Sequence, residues 1–283
     1  MKALLFPGQG SQIVGMGREL FNNFTIIKNI FEQADQKLKF KISKIILEGP
    51  ENELKLTKNT QPAILTVSYA IYKLLTEEFG FNTDKVKFFA GHSLGEYSAL
   101  VCAESLSFED ALYLLRERGK AMQEAVPAGE GAMLAVLGMN IEEVKKYIFK
   151  IVDKKICEIA NDNADGQVIL SGDIESINKL QENLKDDKKK CIVLPVSAPF
   201  HCSLMKSAAA NMREKIMGIN FSTPKIEVVT NVTAEVEKSP ENIKKLLIEQ
   251  IYSKVRWRES IIYMQKKNID EFVEIGPGKV LSG

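Results

Sequence analysis

The chain has 283 residues, 45% of them hydrophobic, and a length of this kind buries one large core or a large core plus a small one. Its 38 basic and 37 acidic side chains leave a net charge of +1. That sets up no global field and excludes a nucleic-acid binder held mainly by phosphate contacts.

Met1 leads directly into the strand-like Lys2-Ala3-Leu4-Leu5-Phe6, too short for a secretion signal. No apolar stretch approaches the ~20 residues of a membrane span, so the expected location is the cytoplasm, with no membrane partner. The loop Pro7-Gly8-Gln9-Gly10-Ser11-Gln12 places Ile13 where a dinucleotide fingerprint needs its third glycine. It reads instead as a loop whose backbone N–H groups face an anion, with the Gln12 side chain able to add a donor. Ile26 to Leu38 has helical spacing. Thr60 as N-cap, Pro62 in the first turn and Gly80 as the stop define a long buried helix.

Val86-Lys87-Phe88-Phe89-Ala90 is a short apolar strand, Gly91-His92-Ser93-Leu94-Gly95 a tight turn, and Glu96 to Ala103 the opening of a helix. A G-x-S-x-G turn between a strand and a helix is the nucleophile elbow of α/β-hydrolase-like folds. The turn is too sharp for a Cβ close to the neighbouring backbone, hence glycine on both sides. It also strains the central Ser93 and projects its hydroxyl. The new helix aims unpaired N–H groups at whatever anion forms on an attacked carbonyl.

Ser107-Phe108-Glu109-Asp110 caps a helix that runs to about Ala125 and carries Arg116, Arg118 and Lys120. The pattern then changes. Strands are expected over 132–136, 156–160, 167–171 and 191–196, helices over 141–151 and 174–184, and a turn over 161–166. That βαββαβ order is ferredoxin-like and predicts an insertion domain, 128–197, inside a larger domain made of 1–127 and 198–283. The run Lys185 to Lys190 is a solvated turn, charged enough to meet an acidic partner. Beyond Ser197-Ala198-Pro199-Phe200-His201-Cys202, helices are expected over 203–217, 240–252 with Ser239 as cap, and 255–267, with strands at 226–229 and 272–274. Gly278-Lys279 opens no P-loop, because Val273 and Val280 occupy two of its required positions. Lys279 to Gly283 brings no terminating element, which leaves room for the natural chain to extend. Cys102, Cys157, Cys191 and Cys202 make no C-x-x-C pair and two histidines are too few for a zinc set. The cysteines read as buried thiols of a reducing compartment. Outside the insertion, alternating helices and short apolar strands predict a parallel sheet with its ligand site at the strands' carboxyl ends.

A serine hydroxyl needs a base within hydrogen-bond reach. Neighbouring strand residues point opposite ways, which turns His92 from Ser93 and leaves His201 as the base by elimination. Spacing singles out no Asp or Glu to orient the imidazole. A triad carboxylate and a dyad oriented by a backbone carbonyl or amide side chain are both open.

Phe6-Pro7-Gly8-Gln9-Gly10-Ser11-Gln12, Gly91-His92-Ser93-Leu94-Gly95-Glu96-Tyr97-Ser98-Ala99-Leu100, Arg118-Gly119-Lys120-Ala121-Met122-Gln123, Gly131-Ala132-Met133, Asn161-Asp162-Asn163, His201 and Glu274-Ile275-Gly276-Pro277-Gly278 together resemble the malonyl-CoA:acyl carrier protein transacylase family of fatty-acid synthesis. The resemblance covers essentially the whole chain in the right order. It implies a Ser93 acylated by malonyl-CoA, His201 as base and then acid, and an oxyanion hole of the Gln12 and Leu94 N–H groups. It further implies Arg118 as clamp for the acyl carboxylate and the Gln250 main-chain carbonyl as the group that orients His201. Phe200 would add bulk against an α-methyl branch. The implied chemistry is ping-pong transfer to the phosphopantetheine thiol of acyl carrier protein, with no metal or redox cofactor. Lys188 to Lys190, or Lys254, Arg256 and Arg258, are candidate docking charges for an acidic carrier. An esterase or lipase using the same Ser and His, and an inactive scaffold that only binds the carrier, are the rival readings.

Overall fold

The computed structural model describes residues 1–151, 155–196 and 198–283. The first part of the chain forms β1 (Lys2–Phe6), the helices α1 (Arg18–Asn23), α2 (Thr25–Leu38), α3 (Ile42–Glu48) and α4 (Glu51–Lys55), and the long α5 (Thr57–Glu77). β2 (Val86–Gly91), α6 (Gly95–Cys102) and α7 (Phe108–Glu124) follow. The middle segment is β3 (Gly131–Leu137), α8 (Ile141–Phe149), β4 (Cys157–Ala164), β5 (Gln167–Asp173), α9 (Ile174–Asp186) and β6 (Lys190–Val193). A 3₁₀ turn at Ser203–Met205 leads into α10 (Lys206–Met217), β7 (Glu227–Val229), β8 (Val236–Glu237), α11 (Pro240–Gln250), α12 (Trp257–Lys266) and β9 (Glu271–Glu274).

Strands from both ends of the chain join in one sheet of order β8-β7-β2-β1-β9, parallel except for β8. Side chains alternate across it. Leu4, Phe6 and Phe89 enter the core shared with α5 and α7, while Ala3, Leu5, Phe88 and Ala90 face Trp257 and Met264 of α12. Burial on both faces explains why these strands read as nearly unbroken apolar runs. Because the central strands are parallel, the loop after β1, the elbow after β2 and Thr230-Asn231 after β7 all open at the same edge.

The second sheet is antiparallel, of order β4-β5-β3-β6. On β3, Ala132, Leu134 and Val136 pack with Ile177 and Leu180 of α9, whereas Met133 and Ala135 join Ile169 of β5 in the larger core. One face is thus covered by its own helices and the other is turned onto the first sheet's side of the molecule.

Several expectations shift. α5 starts at Thr57, and Thr60 is no cap: its buried hydroxyl donates to the carbonyls of Leu54 and Leu56. Pro62 lies inside the helix and leaves the Lys58 carbonyl without its helical donor, which Arg116 Nη1 replaces at 3.0 Å. The helix ends at Glu77, ahead of Gly80 at φ +62°. β4 runs on through Asn161-Asp162-Asn163, which the sequence assigned to a turn. The Asp162 N–H donates to Val255 O at 3.0 Å and the Val255 N–H to Ala160 O at 2.8 Å, so backbone from outside the sheet completes the strand. Cys102 and Cys202 are buried as expected, but Cys157 and Cys191 are only half-buried, and all four are free. Ser197, where the chain was expected to return to the larger domain, lies outside the described residues. Among the described residues, no helix is long and apolar enough to cross a membrane.

Candidate active site

The elbow is built as tightly as its sequence demands. A Cβ on Gly91 would lie 1.9 Å from the Gly95 carbonyl, and one on Gly95 2.2 Å from Phe6 O, so neither position admits a side chain. Ser93 sits at φ +52°, a conformation L-residues rarely adopt. Asn231, just past β7, spans this strained turn. Its Oδ1 accepts from the Ser93 N–H at 2.7 Å and its Nδ2 donates to Gly91 O at 2.7 Å.

Ser93 Oγ lies 2.8 Å from His201 Nε2, and His201 Nδ1 lies 2.8 Å from the Gln250 main-chain carbonyl at the end of α11. A carbonyl only accepts, so Nδ1 carries the proton and Nε2 offers its lone pair to the serine hydroxyl. Burial first, and then the Arg118 charge, push the His201 pKa down to about 3, against the upward pull of the Gln250 carbonyl. The imidazole is therefore neutral near pH 7. His92 points elsewhere: its Nε2 is 2.9 Å from Asn163 Oδ1 and its ring packs against Trp257.

Arg118 reaches the same point from α7. A Cβ on the next residue, Gly119, would lie 2.6 Å from Lys58 Cα, so this glycine lets α7 approach the start of α5. The approach brings Gln61 Oε1 to 2.8 Å from Arg118 Nη1. Nη2 donates to Gln250 Oε1 at 2.8 Å and to Ser93 Oγ at 3.1 Å. Arg118 is 1% exposed, and among the described residues its Nε has no hydrogen-bond partner and no carboxylate forms an ion pair with it. The carboxylate whose charge acts on it is Glu96, whose Oε2 accepts from the Asn231 N–H at 3.0 Å and from Gln250 Nε2 at 2.8 Å. Burial raises the Glu96 pKa to about 7 despite those two bonds and the Arg118 charge, so its neutralisation of Arg118 is incomplete.

Ser93, His201, Arg118 and Gln61 face a cavity of about 290 Å³. Gln9, Gly10, Gln12 and Leu94 line one side, and Met133 and Ile169 of the second sheet, with Leu194 and Val196 just past β6, bring an apolar wall, with Phe200 beside it. The Gln12 side chain folds back to accept from the Gly10 N–H at 2.7 Å. Among the described residues, the backbone N–H groups of Gln12 and Leu94 donate to no protein acceptor. No cluster of three or more His, Cys, Asp or Glu suited to a metal ion occurs among those residues either.

The structure thus gathers Ser93, His201, Arg118 and Gln250 into one hydrogen-bonded group beside Gln12 and Leu94. It does not leave all the candidate docking charges free. Lys254 and Arg256 both pair with Glu259, and Arg258 holds the buried Asp162 carboxylate at 2.9 and 2.8 Å. Gln61, Glu96 and Asn231 had no assigned role from sequence. Asn231 follows a strand whose carboxyl end is where a parallel sheet puts its ligands, and that was the signal to use.

The acyl transferase domain family matches residues 3–282. The chain is 47% identical over 283 residues to the malonyl CoA-acyl carrier protein transacylase of Bacillus subtilis (strain 168), covering 99% of this chain and 88% of that protein. It is 39% identical over 282 residues to the transacylase of the same name from Escherichia coli (strain K12), covering 99% and 90%. Among solved structures, the acyl-carrier-protein S-malonyltransferase of Bartonella henselae superposes with a TM-score of 0.96 at 43% identity, covering 100% of this chain and 90% of that one. A malonyl-transacylase in complex with its type II PKS acyl-carrier protein superposes equally, with a TM-score of 0.96, 39% identity and coverage of 100% and 91%.

Proposed function

The chain belongs to the acyl transferase domain family, and on that premise we propose that it moves a malonyl group from malonyl-CoA, through an ester on Ser93, to the phosphopantetheine thiol of an acyl carrier protein. The observation that carries this reading is the buried Arg118 guanidinium, bonded to neutral oxygens and facing the cavity that Ser93 opens into. A buried cation without a paired anion is costly, and a ligand carboxylate relieves that cost. A malonyl group carries such a carboxylate one carbon beyond the reacting carbonyl. A charge-assisted bond to it contributes roughly 1.5–3 kcal/mol.

In the first half-reaction Ser93 Oγ attacks the thioester carbonyl while its proton passes to His201 Nε2. The tetrahedral oxyanion takes bonds from the Gln12 and Leu94 N–H groups. The C–S bond breaks, and the departing CoA sulfur takes the proton from His201. In the second half the carrier thiol gives its proton to His201 and attacks the ester, and Ser93 leaves as an alkoxide that His201 reprotonates. An acyl carboxylate seated on Arg118 cancels the second cause of the low His201 pKa, so substrate binding itself makes the imidazolium of these steps easier to form. The Gln250 carbonyl, accepting from Nδ1, orients the ring in place of a triad carboxylate.

The division into a catalytic domain of 1–127 with 198–283 and a ferredoxin-like insertion of 128–197 is part of the same reading. Its support is the βαββαβ order, the sheet order β4-β5-β3-β6 and the separate core under α8 and α9. An α/β-hydrolase-like body, a cytoplasmic location and a place in fatty-acid synthesis complete it. Intact-mass analysis after mixing with malonyl-CoA tests the proposal: a malonyl adduct on Ser93, absent from Ser93→Ala, is expected, and an unlabelled parent protein sinks it.

A further inference from the structure

An amide side chain has a donor end and an acceptor end, and turning it over exchanges them. Gln250 is held with Nε2 toward the elbow, where it meets Glu96 Oε2 at 2.8 Å, Ser93 O at 3.1 Å and Asn231 Oδ1 at 3.4 Å. Its Oε1 accepts from Arg118 Nη2 at 2.8 Å. Among the described residues the only charged acceptor at the nitrogen end is Glu96, and Glu96 is itself pinned by the Asn231 N–H. Turned over, Gln250 would set its NH₂ against the Arg118 donors and its oxygen against the Glu96 carboxyl. Among the described residues Glu96 does not line the cavity and makes no hydrogen bond to Ser93 Oγ or His201, so it acts only through its neighbour.

We propose that Glu96 is a positioning residue for malonyl selection: by accepting from Gln250 Nε2 it fixes which end of that amide faces Arg118, and so sets the guanidinium that receives the acyl carboxylate. Four elements meet through it, namely α6 with Glu96, α7 with Arg118, α11 with Gln250 and the loop after β7 with Asn231. The inference rests on the malonyl-transfer reading above.

Steady-state kinetics with malonyl-CoA and acetyl-CoA, on the parent chain and on Glu96→Ala, Glu96→Gln and Gln250→Leu, test it. Glu96→Ala is expected to lower the malonyl-over-acetyl ratio of kcat/KM about tenfold, chiefly through the KM for malonyl-CoA, the scale of one charged hydrogen bond. Glu96→Gln keeps an acceptor oxygen in the same place and is expected to restore the ratio to within about threefold of the parent. Gln250→Leu keeps the main-chain carbonyl under His201 and should match the Glu96→Ala ratio, with no further fall in the double variant. A Glu96→Ala ratio equal to the parent's overturns the inference, as does a Glu96→Gln ratio as low as that of Glu96→Ala. If Glu96→Ala does not fold, Gln250→Leu decides, and an unchanged ratio there overturns it. Failure of the parent to label Ser93 sinks the malonyl reading itself; a labelled parent with an indifferent Glu96 sinks only this step.

Discussion

The two sheets meet the cavity in different ways. The parallel strands β7, β2, β1 and β9 end on one side, so the loops after β1, β2 and β7 converge and bring Ser93, Asn231 and the Gln12 loop to one point. Strands of the antiparallel sheet alternate in direction, and what they offer is a face: Met133 of β3 and Ile169 of β5, continued by Leu194 and Val196. The first sheet supplies polar groups in fixed register and the second supplies an apolar wall with Asn161 and Asn163 of β4 beside it, tied on by the His92–Asn163 contact and the Ala160 to Asp162 pairing with Val255. Reactive groups belong where strand ends converge, and steric selection belongs where a sheet turns its side chains onto them.

The largest losses then come from Ser93 at the end of β2 and the His201 base brought against it. Removing either Ser93 or His201 is expected to lower turnover by roughly 10⁴ to 10⁶, with little further loss on removing both. Turnover of malonyl-CoA in the single and double variants measures it, and additive losses would mean that the two do not act as a unit. Arg118→Ala comes next. It should lower malonyl transfer by about tenfold or more and acetyl transfer by less. Equal losses would move Arg118 from carboxylate recognition to support of Ser93 Oγ, which it also touches at 3.1 Å. The wall gives the smallest rate effect. Met133→Ala opens space without touching a polar group, so Ser93 should still be acylated while the methylmalonyl-over-malonyl ratio rises about threefold, the scale of a methylene or less in an apolar pocket. A turnover collapse in Met133→Ala with the fold intact would erase the distinction between the two sheets.

The same contrast separates what was legible in the sequence. The elbow is local, with strand, glycines and helix side by side between Val86 and Ala103, and it reads directly. His201 was reached by elimination from two histidines. The Arg118 partners were out of reach to spacing, since Gln61 lies 57 residues before it and Gln250 132 after. Yet the adjacent Gly119, in the middle of a helix, was a sign of close packing there. In the second sheet the order of elements was legible but the end of β4 was not. Asn161-Asp162-Asn163 has turn composition, and it stays extended because Val255, Arg258 and His92 satisfy its polar groups from outside the sheet. Thr60 is no cap for a related reason: α5 already starts at Thr57, and the Leu54 carbonyl of α4 and the Leu56 carbonyl between the two helices take its hydroxyl.

Two buried carboxylates carry the comparison into stability. Asp162 on β4 is matched by the Arg258 fork, whereas Glu96 on α6 has hydrogen bonds but no ion pair among the described residues. Burial raises the Glu96 pKa from 4.5 to about 7 in the folded chain. Between those values the folded state binds more protons than the unfolded one, so Glu96 lowers stability as pH rises, and its cost is complete above about pH 7. His201 has the opposite sign. Its folded pKa is about 3 against an ordinary 6.5, so its contribution rises with pH across that window. The difference between Glu96→Gln and the parent removes the His201 contribution, which both share. Relative to the parent, Glu96→Gln should therefore melt progressively higher from about pH 5 to about pH 8, by up to roughly 3 kcal/mol or several degrees. Calorimetry at the two pH values reads this directly. An offset that does not change with pH would place the Glu96 charge outside the buried network and assign its hydrogen bonds alone the task of holding Gln250.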